Sequence, residues 1–114
     1  MRKRHEITCT AYDKRGRVIC TAVNSYNDSS SLMRYYAMKV GKSYCKWNHA
    51  EIYCIDKAIK RRKTIDKLVI MRYDCYGNMR NSRPCEICMR AIQDFNIKHV
   101  LYSTENGMQR LEKL

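Results

Sequence analysis

Two short runs in this 114-residue sequence carry residue types able to do chemistry together: Asn48-His49-Ala50-Glu51 and Pro84-Cys85-Glu86-Ile87-Cys88. In Cys-x-x-Cys at the start of a helix, one turn brings the two sulfurs near each other, and the helix N-terminus favours their thiolate forms. One imidazole with two thiolates suits Zn2+ and leaves a fourth tetrahedral position for water, the mark of a catalytic rather than a structural metal. Zinc lowers the pKa of such a water from about 15.7 to about 7. Glu51 lies two residues after His49, so its carboxyl is available to take a proton from that water and pass it on. A structural zinc knuckle is the alternative, with Cys45 or Cys54 as a fourth ligand. Cys54, five positions past His49, faces poorly, whereas Cys45 sits in a loop that could reach. A knuckle leaves Glu51 without a role.

The elements that must position these residues follow from periodicity. Ile7 to Val23 reads as a β-hairpin: Ile7, Cys9 and Ala11 alternate with Thr8, Thr10 and Tyr12, and Asp13-Lys14-Arg15-Gly16 supplies the turn. A long connection from Asn24 to Asn48 opens on a polar cluster and holds a short helix, Leu32 to Val40, ended by Gly41. A second helix is expected from about Asn48 to Arg62, with Ile52, Ile55 and Ile59 on one face and cations in its last turn. Leu68 to Met71 is an apolar run typical of a strand covered on both faces. Cys85 to Phe95 reads as helix, and His99 to Ser103 as strand. Glu105-Asn106-Gly107 turns the chain into an edge strand over Met108 to Leu114. The order β-β-α-β-α-β-β implies an α/β domain with a mixed five-stranded sheet. Both main helices should lie on one face, with their N-termini together at one sheet edge.

The spaced pair His-x-Glu and Pro-Cys-x-x-Cys matches the signature of zinc deaminases that act on bases. On these motifs the sequence resembles the cytidine/deoxycytidylate deaminase superfamily, from the first hairpin to the last strand, as a compact single-domain member (1–114). The resemblance implies His49, Cys85 and Cys88 as zinc ligands and Glu51 as the proton shuttle. It further implies that Asn24 contacts the sugar and that the Ala50 N–H holds the base carbonyl. The Arg83 C=O would accept from the amino group that leaves. The implied reaction is hydrolytic attack at the amidine carbon of cytosine with loss of ammonia. Members of the superfamily usually open with a helix ahead of the hairpin, and here only about six residues precede it. One sheet face is therefore expected to be bare, which points towards a homo-oligomer. The short final turn makes the last two strands antiparallel, resembling the branch that acts on free cytidine or nucleotides.

Composition narrows the partners. With 23 Lys+Arg against 11 Asp+Glu, the net charge of +12 opposes close self-association and attracts polyanions or phosphorylated small molecules. Seven cysteines, an odd number without an export signal ahead of them, point to a reducing, cytoplasmic setting. Cys9, Cys20, Cys45, Cys54 and Cys75 are read as small core hydrophobes. No apolar run approaches the roughly 18 residues of a membrane span. Trp47 and Tyr26, in the long loop, are placed to stack on a base or to anchor the loop. Tyr73, Tyr76 and Tyr102 read as sheet or core residues, and His5 and His99 as surface histidines.

Three functions fit. The first is conversion of cytosine to uracil in a (deoxy)cytidine nucleotide. The second is deamination of cytosine, or adenine, in single-stranded DNA or RNA. The third is a non-catalytic, zinc-stabilised nucleic-acid-binding protein, which Glu51 opposes.

Overall fold

One carboxylate sets the first turn. Asp13 Oδ1 accepts from the backbone N–H of Arg15 and of Arg17, each at 2.9 Å, while Gly16 takes the positive φ of 80° that closes the turn. The computed structural model describes residues 5–25, 30–41 and 48–111. The turn joins β1 (Glu6–Tyr12) to β2 (Val18–Val23), antiparallel, with Cys9 opposite Ala22 and Ala11 opposite Cys20. The remaining elements are α1 (Ser31–Lys39), α2 (Ala50–Lys60), β3 (Lys67–Tyr73), β4 (Met79–Arg80), α3 (Glu86–Asp94), β5 (His99–Thr104) and β6 (Gly107–Arg110).

The sheet order is β2-β1-β3-β5-β6. β1 runs antiparallel to β3, β3 parallel to β5, and β5 antiparallel to β6, so the expected antiparallel ending is present. Among the described residues the sheet holds the five expected strands in its main order and a short sixth beside β3. The added strand, β4, is a two-residue hairpin partner of β3. It is too short to show a periodicity in sequence. Its turn is built by Asp74, which accepts from Tyr76 N and Asn78 N at 2.9 Å and pairs with Arg80. Tyr76 sits on this turn, 78% exposed, rather than in the core.

The core lies between the helices and the sheet face that carries Cys9, Ala11, Cys20, Ala22, Leu68, Ile70 and Val100. Under α2 the strand residues are small, and α2 answers with Ala50, Cys54 and Ala58 at i, i+4, i+8. Short side chains on both sides let helix and hairpin approach closely; Cys20 Sγ donates to the Cys54 carbonyl at 3.3 Å. The apolar stripe expected on α2 is corrected at one position. Ile52 and Ile55 are buried, but Ile59, in the last turn of α2, is 44% exposed. α1 begins at Ser30, whose hydroxyl accepts from Met33 N at 3.1 Å, and packs on α3 through Tyr36 and Phe95. On the other sheet face Thr8, Thr10, Val69, Met71 and Leu101 are half-covered, and no described helix packs there. No described helix is long and apolar enough to cross a membrane.

Candidate metal centre and active-site cavity

His49 and Cys85 occupy the N-cap positions of α2 and α3, where a side chain ordinarily accepts a hydrogen bond from the first turn. Neither side chain caps its helix. They turn towards each other instead: His49 Nδ1 lies 3.4 Å from Cys85 Sγ and 3.3 Å from Cys88 Sγ. All three donor atoms lie within 4.8 Å of one another, and among the described residues no other group of His, Cys, Asp or Glu meets this way. Bond lengths of about 2.0–2.1 Å to nitrogen and 2.3 Å to sulfur put tetrahedral ligand atoms about 3.6 Å apart, so these donors fit zinc after small adjustments.

The protonation pattern of the trio follows from its hydrogen bonds. The Cys88 thiol donates to Cys85 and, with His49, holds the Cys85 thiol down to about 4 against the burial that opposes it. Cys88 is pushed well above the usual thiol range, first by that same bond and then by burial. Burial pulls His49 down, but its bond to Cys85 and the thiolate charge outweigh it and lift the imidazole. A coordinated divalent ion would deprotonate both thiols.

Glu51, one residue into α2, is 6% exposed and lines the cavity next to the trio. Burial raises its carboxyl pKa, partly offset by its own backbone N–H and the positive His49. A carboxyl poised towards neutrality can both accept and return a proton.

The cavity, ≈ 270 Å³, is lined by Asn24, His49, Glu51, Arg83 and Cys85 among the residues singled out in sequence. Ala50 and Cys88 are fully buried and do not line it. Asn24, just past the end of β2, is fixed by the neighbouring strand β1: Oδ1 accepts from Ile7 N at 3.0 Å, and Asn24 N donates to Ile7 O at 3.0 Å. A two-way backbone bridge between Ser25 and Asn48 then ties the end of β2 to the start of α2. On the other side Ser82 holds the approach to Cys85. Its hydroxyl donates to Ile70 O at 2.9 Å and accepts from Ser103 N at 2.7 Å, linking β3, β5 and the Pro84 segment.

Among the wall residues that sequence reasoning missed are His5, Arg72, Asn81 and Ser82. His5 is corrected from a surface residue to a half-buried wall residue that accepts from Arg72 Nε at 3.1 Å. The available signal was parity. His5 continues the alternation of Ile7, Cys9 and Ala11, and Arg72 that of Leu68 and Ile70, both on the helix-facing side. Trp47, Tyr26 and Cys45 lie outside the described residues.

The chain matches, over residues 2–104, the family model described as the cytidine and deoxycytidylate deaminase zinc-binding region. Comparison with curated protein sequences gives no match. In three dimensions the chain is similar to cytidine deaminase from Mycobacterium leprae, with a TM-score of 0.54 and 20% identity, over 93% of this chain and 74% of that one. That likeness speaks for the α/β fold, while the family match and the His/Cys/Cys donors identify the ion as zinc.

Proposed function

This chain belongs to the cytidine and deoxycytidylate deaminase family of zinc-dependent hydrolytic deaminases, and from that premise we propose that it converts cytosine to uracil in a nucleotide. The reading treats the 114 residues as one catalytic unit acting on a cyclic amidine. The observation that carries it is the buried Glu51 carboxyl on the wall of the same small cavity as His49 and Cys85.

In this reading His49 Nδ1, Cys85 Sγ and Cys88 Sγ hold the zinc, which when bound brings the pKa of its water near neutrality. Glu51 would take a proton from the attacking water and deliver it to the base, and the upward shift of its carboxyl suits both directions of transfer. The Ala50 N–H, at the start of α2 where helix donors are unsatisfied, accommodates the base carbonyl. The Arg83 carbonyl, preceding the buried Pro84, accepts from the amino group that departs as ammonia. Asn24 meets the sugar through Nδ2, since Ile7 already occupies Oδ1. The antiparallel β5–β6 ending, which resembles the branch acting on free nucleosides and nucleotides, supports a mononucleotide, and the ≈ 270 Å³ cavity has room for one nucleotide unit. The +12 charge supports a second reading, cytosine in single-stranded nucleic acid, because a polyanion gains most from it, although it also suits a phosphorylated monomer.

One reaction mixture separates them: deoxycytidine, deoxycytidylate and a single-stranded oligonucleotide with the zinc-loaded protein, with Glu51→Ala as control. Uracil chiefly in deoxycytidylate is the expected result, with turnover in the control down by about 10²–10⁴-fold. Uracil chiefly in the oligonucleotide would establish the second reading, and none in any of the three would end both.

A further inference from the structure

Along β3 the side chains that face the helices are Leu68, Ile70 and, next in the alternation, Arg72. The first two are fully buried core, whereas Arg72 is a half-buried cation on the cavity wall. A charge at a position where the pattern calls for an apolar residue needs a partner, because burying it alone is costly. Among the described residues no carboxylate pairs with it. Its Nε donates to His5 Nδ1 at 3.1 Å and its Nη1 reaches the Asn81 carbonyl at 3.5 Å. Neither acceptor is a carboxylate. They orient the guanidinium without cancelling its charge.

The sheet register relates Arg72 to the rest of the cavity. Asn24 is bonded in both directions to Ile7, and Ile7 is the cross-strand partner of Arg72. Asn24, Ile7 and Arg72 therefore form a row across three neighbouring strands. With strands about 4.8 Å apart, the main chains of Asn24 and Arg72 are about 10 Å apart. Both side chains line the cavity that also holds His49 and Glu51.

We infer that Arg72 is the anion anchor of this cavity, receiving the phosphate of a cytosine nucleoside monophosphate, with His5 and the Asn81 carbonyl as positioning groups. The inference rests on the deaminase reading above and adds what selects the substrate. A guanidinium presents a planar fork that matches phosphate oxygens and stays charged at every working pH. A nucleoside without phosphate would leave this guanidinium with no anionic partner among the described residues, so the site discriminates against it.

The test compares zinc-loaded wild type, Arg72→Gln and Arg72→Lys on deoxycytidylate and deoxycytidine. The kcat/KM ratio of deoxycytidylate to deoxycytidine should fall about ten- to a hundredfold in Arg72→Gln, chiefly through KM for deoxycytidylate. Arg72→Lys should recover only part, as a point charge without the fork. Calorimetry gives a readout free of turnover: the preference for binding deoxyuridylate over deoxyuridine should shrink by the same factor. An unaltered ratio, including equal losses on both substrates, would overturn the role of Arg72 and leave the deaminase reading standing. Wild type that deaminates neither monomer would remove that reading and this inference together. Should Arg72→Gln not fold, Arg72→Lys decides, a ratio lowered by about threefold or more supporting the anchor and an unchanged one refuting it.

Discussion

His49, Cys85 and Cys88 meet where the N-termini of α2 and α3 converge, while Cys9, Cys20 and Cys54 meet between α2 and the first hairpin. Both clusters hold metal-type donors and both draw on α2, but among the described residues only the first brings three donor atoms within 4.8 Å of one another. In the first, two donors are N-cap residues at the positive ends of helices, and Cys85 is exposed towards the cavity. In the second, all three residues are buried at 0–4% exposure on mid-strand and mid-helix positions. Burial drives Cys9 well above the usual thiol range and Cys20 up to about 12. Cys54 is lowered, chiefly by its hydrogen bond with Cys9. The core thiols are held by one another, with Cys20 and Cys54 sulfurs 3.4 Å apart, as small hydrophobes with weak hydrogen bonds. The lesson is that donor type does not make a metal site. Helix termini that favour the anion, and an opening through which ion and substrate can arrive, separate the two clusters.

That contrast can be broken by exchanging the perturbation. Cys85→Ala should drop bound zinc from about one per chain to none and take turnover below detection, whereas Cys20→Ala should keep both. Metal analysis of the two purified variants reads this, and a zinc-bearing, active Cys85→Ala protein would remove the distinction.

Thiol reactivity sharpens it. Cys85, lowered to about 4, is thiolate throughout the neutral range, while Cys20, raised to about 12, holds only about one part in 10⁵ as thiolate at pH 7. In chelator-treated protein, iodoacetamide should therefore label Cys85 first, at a rate nearly flat from about pH 6 to about pH 8 and falling as pH drops through about 4. Zinc should protect it. Peptide mapping that finds Cys20 labelled first in the folded protein would contradict the assignment.

The smallest effect is on stability. Cys20→Ala removes one buried sulfur from a closely packed layer and should cost about 1 kcal/mol, the scale of a deleted methylene. Urea unfolding with an unchanged m-value measures it; a loss several times larger would mean that this cluster carries more of the fold than its packing implies.

The motif pair, the order of the elements and the antiparallel end were legible in the chain itself. Local spacing governs them: His-x-Glu and Cys-x-x-Cys place donors within one helical turn, and Glu105-Asn106-Gly107 is too short for anything but a tight return. Asn24 was legible only through the resemblance, and its attachment to Ile7 came from the hairpin register. β4 was not legible, since two residues show no period. The wall made by His5, Arg72, Asn81 and Ser82 was not legible either. Its members are distant in sequence, and each alone reads as an ordinary polar residue of a strand end or loop. Residue type and local spacing determined which groups could bind zinc and move a proton. Strand pairing, which sets residues 67 apart in the chain within hydrogen-bonding distance, decided which charges share their cavity.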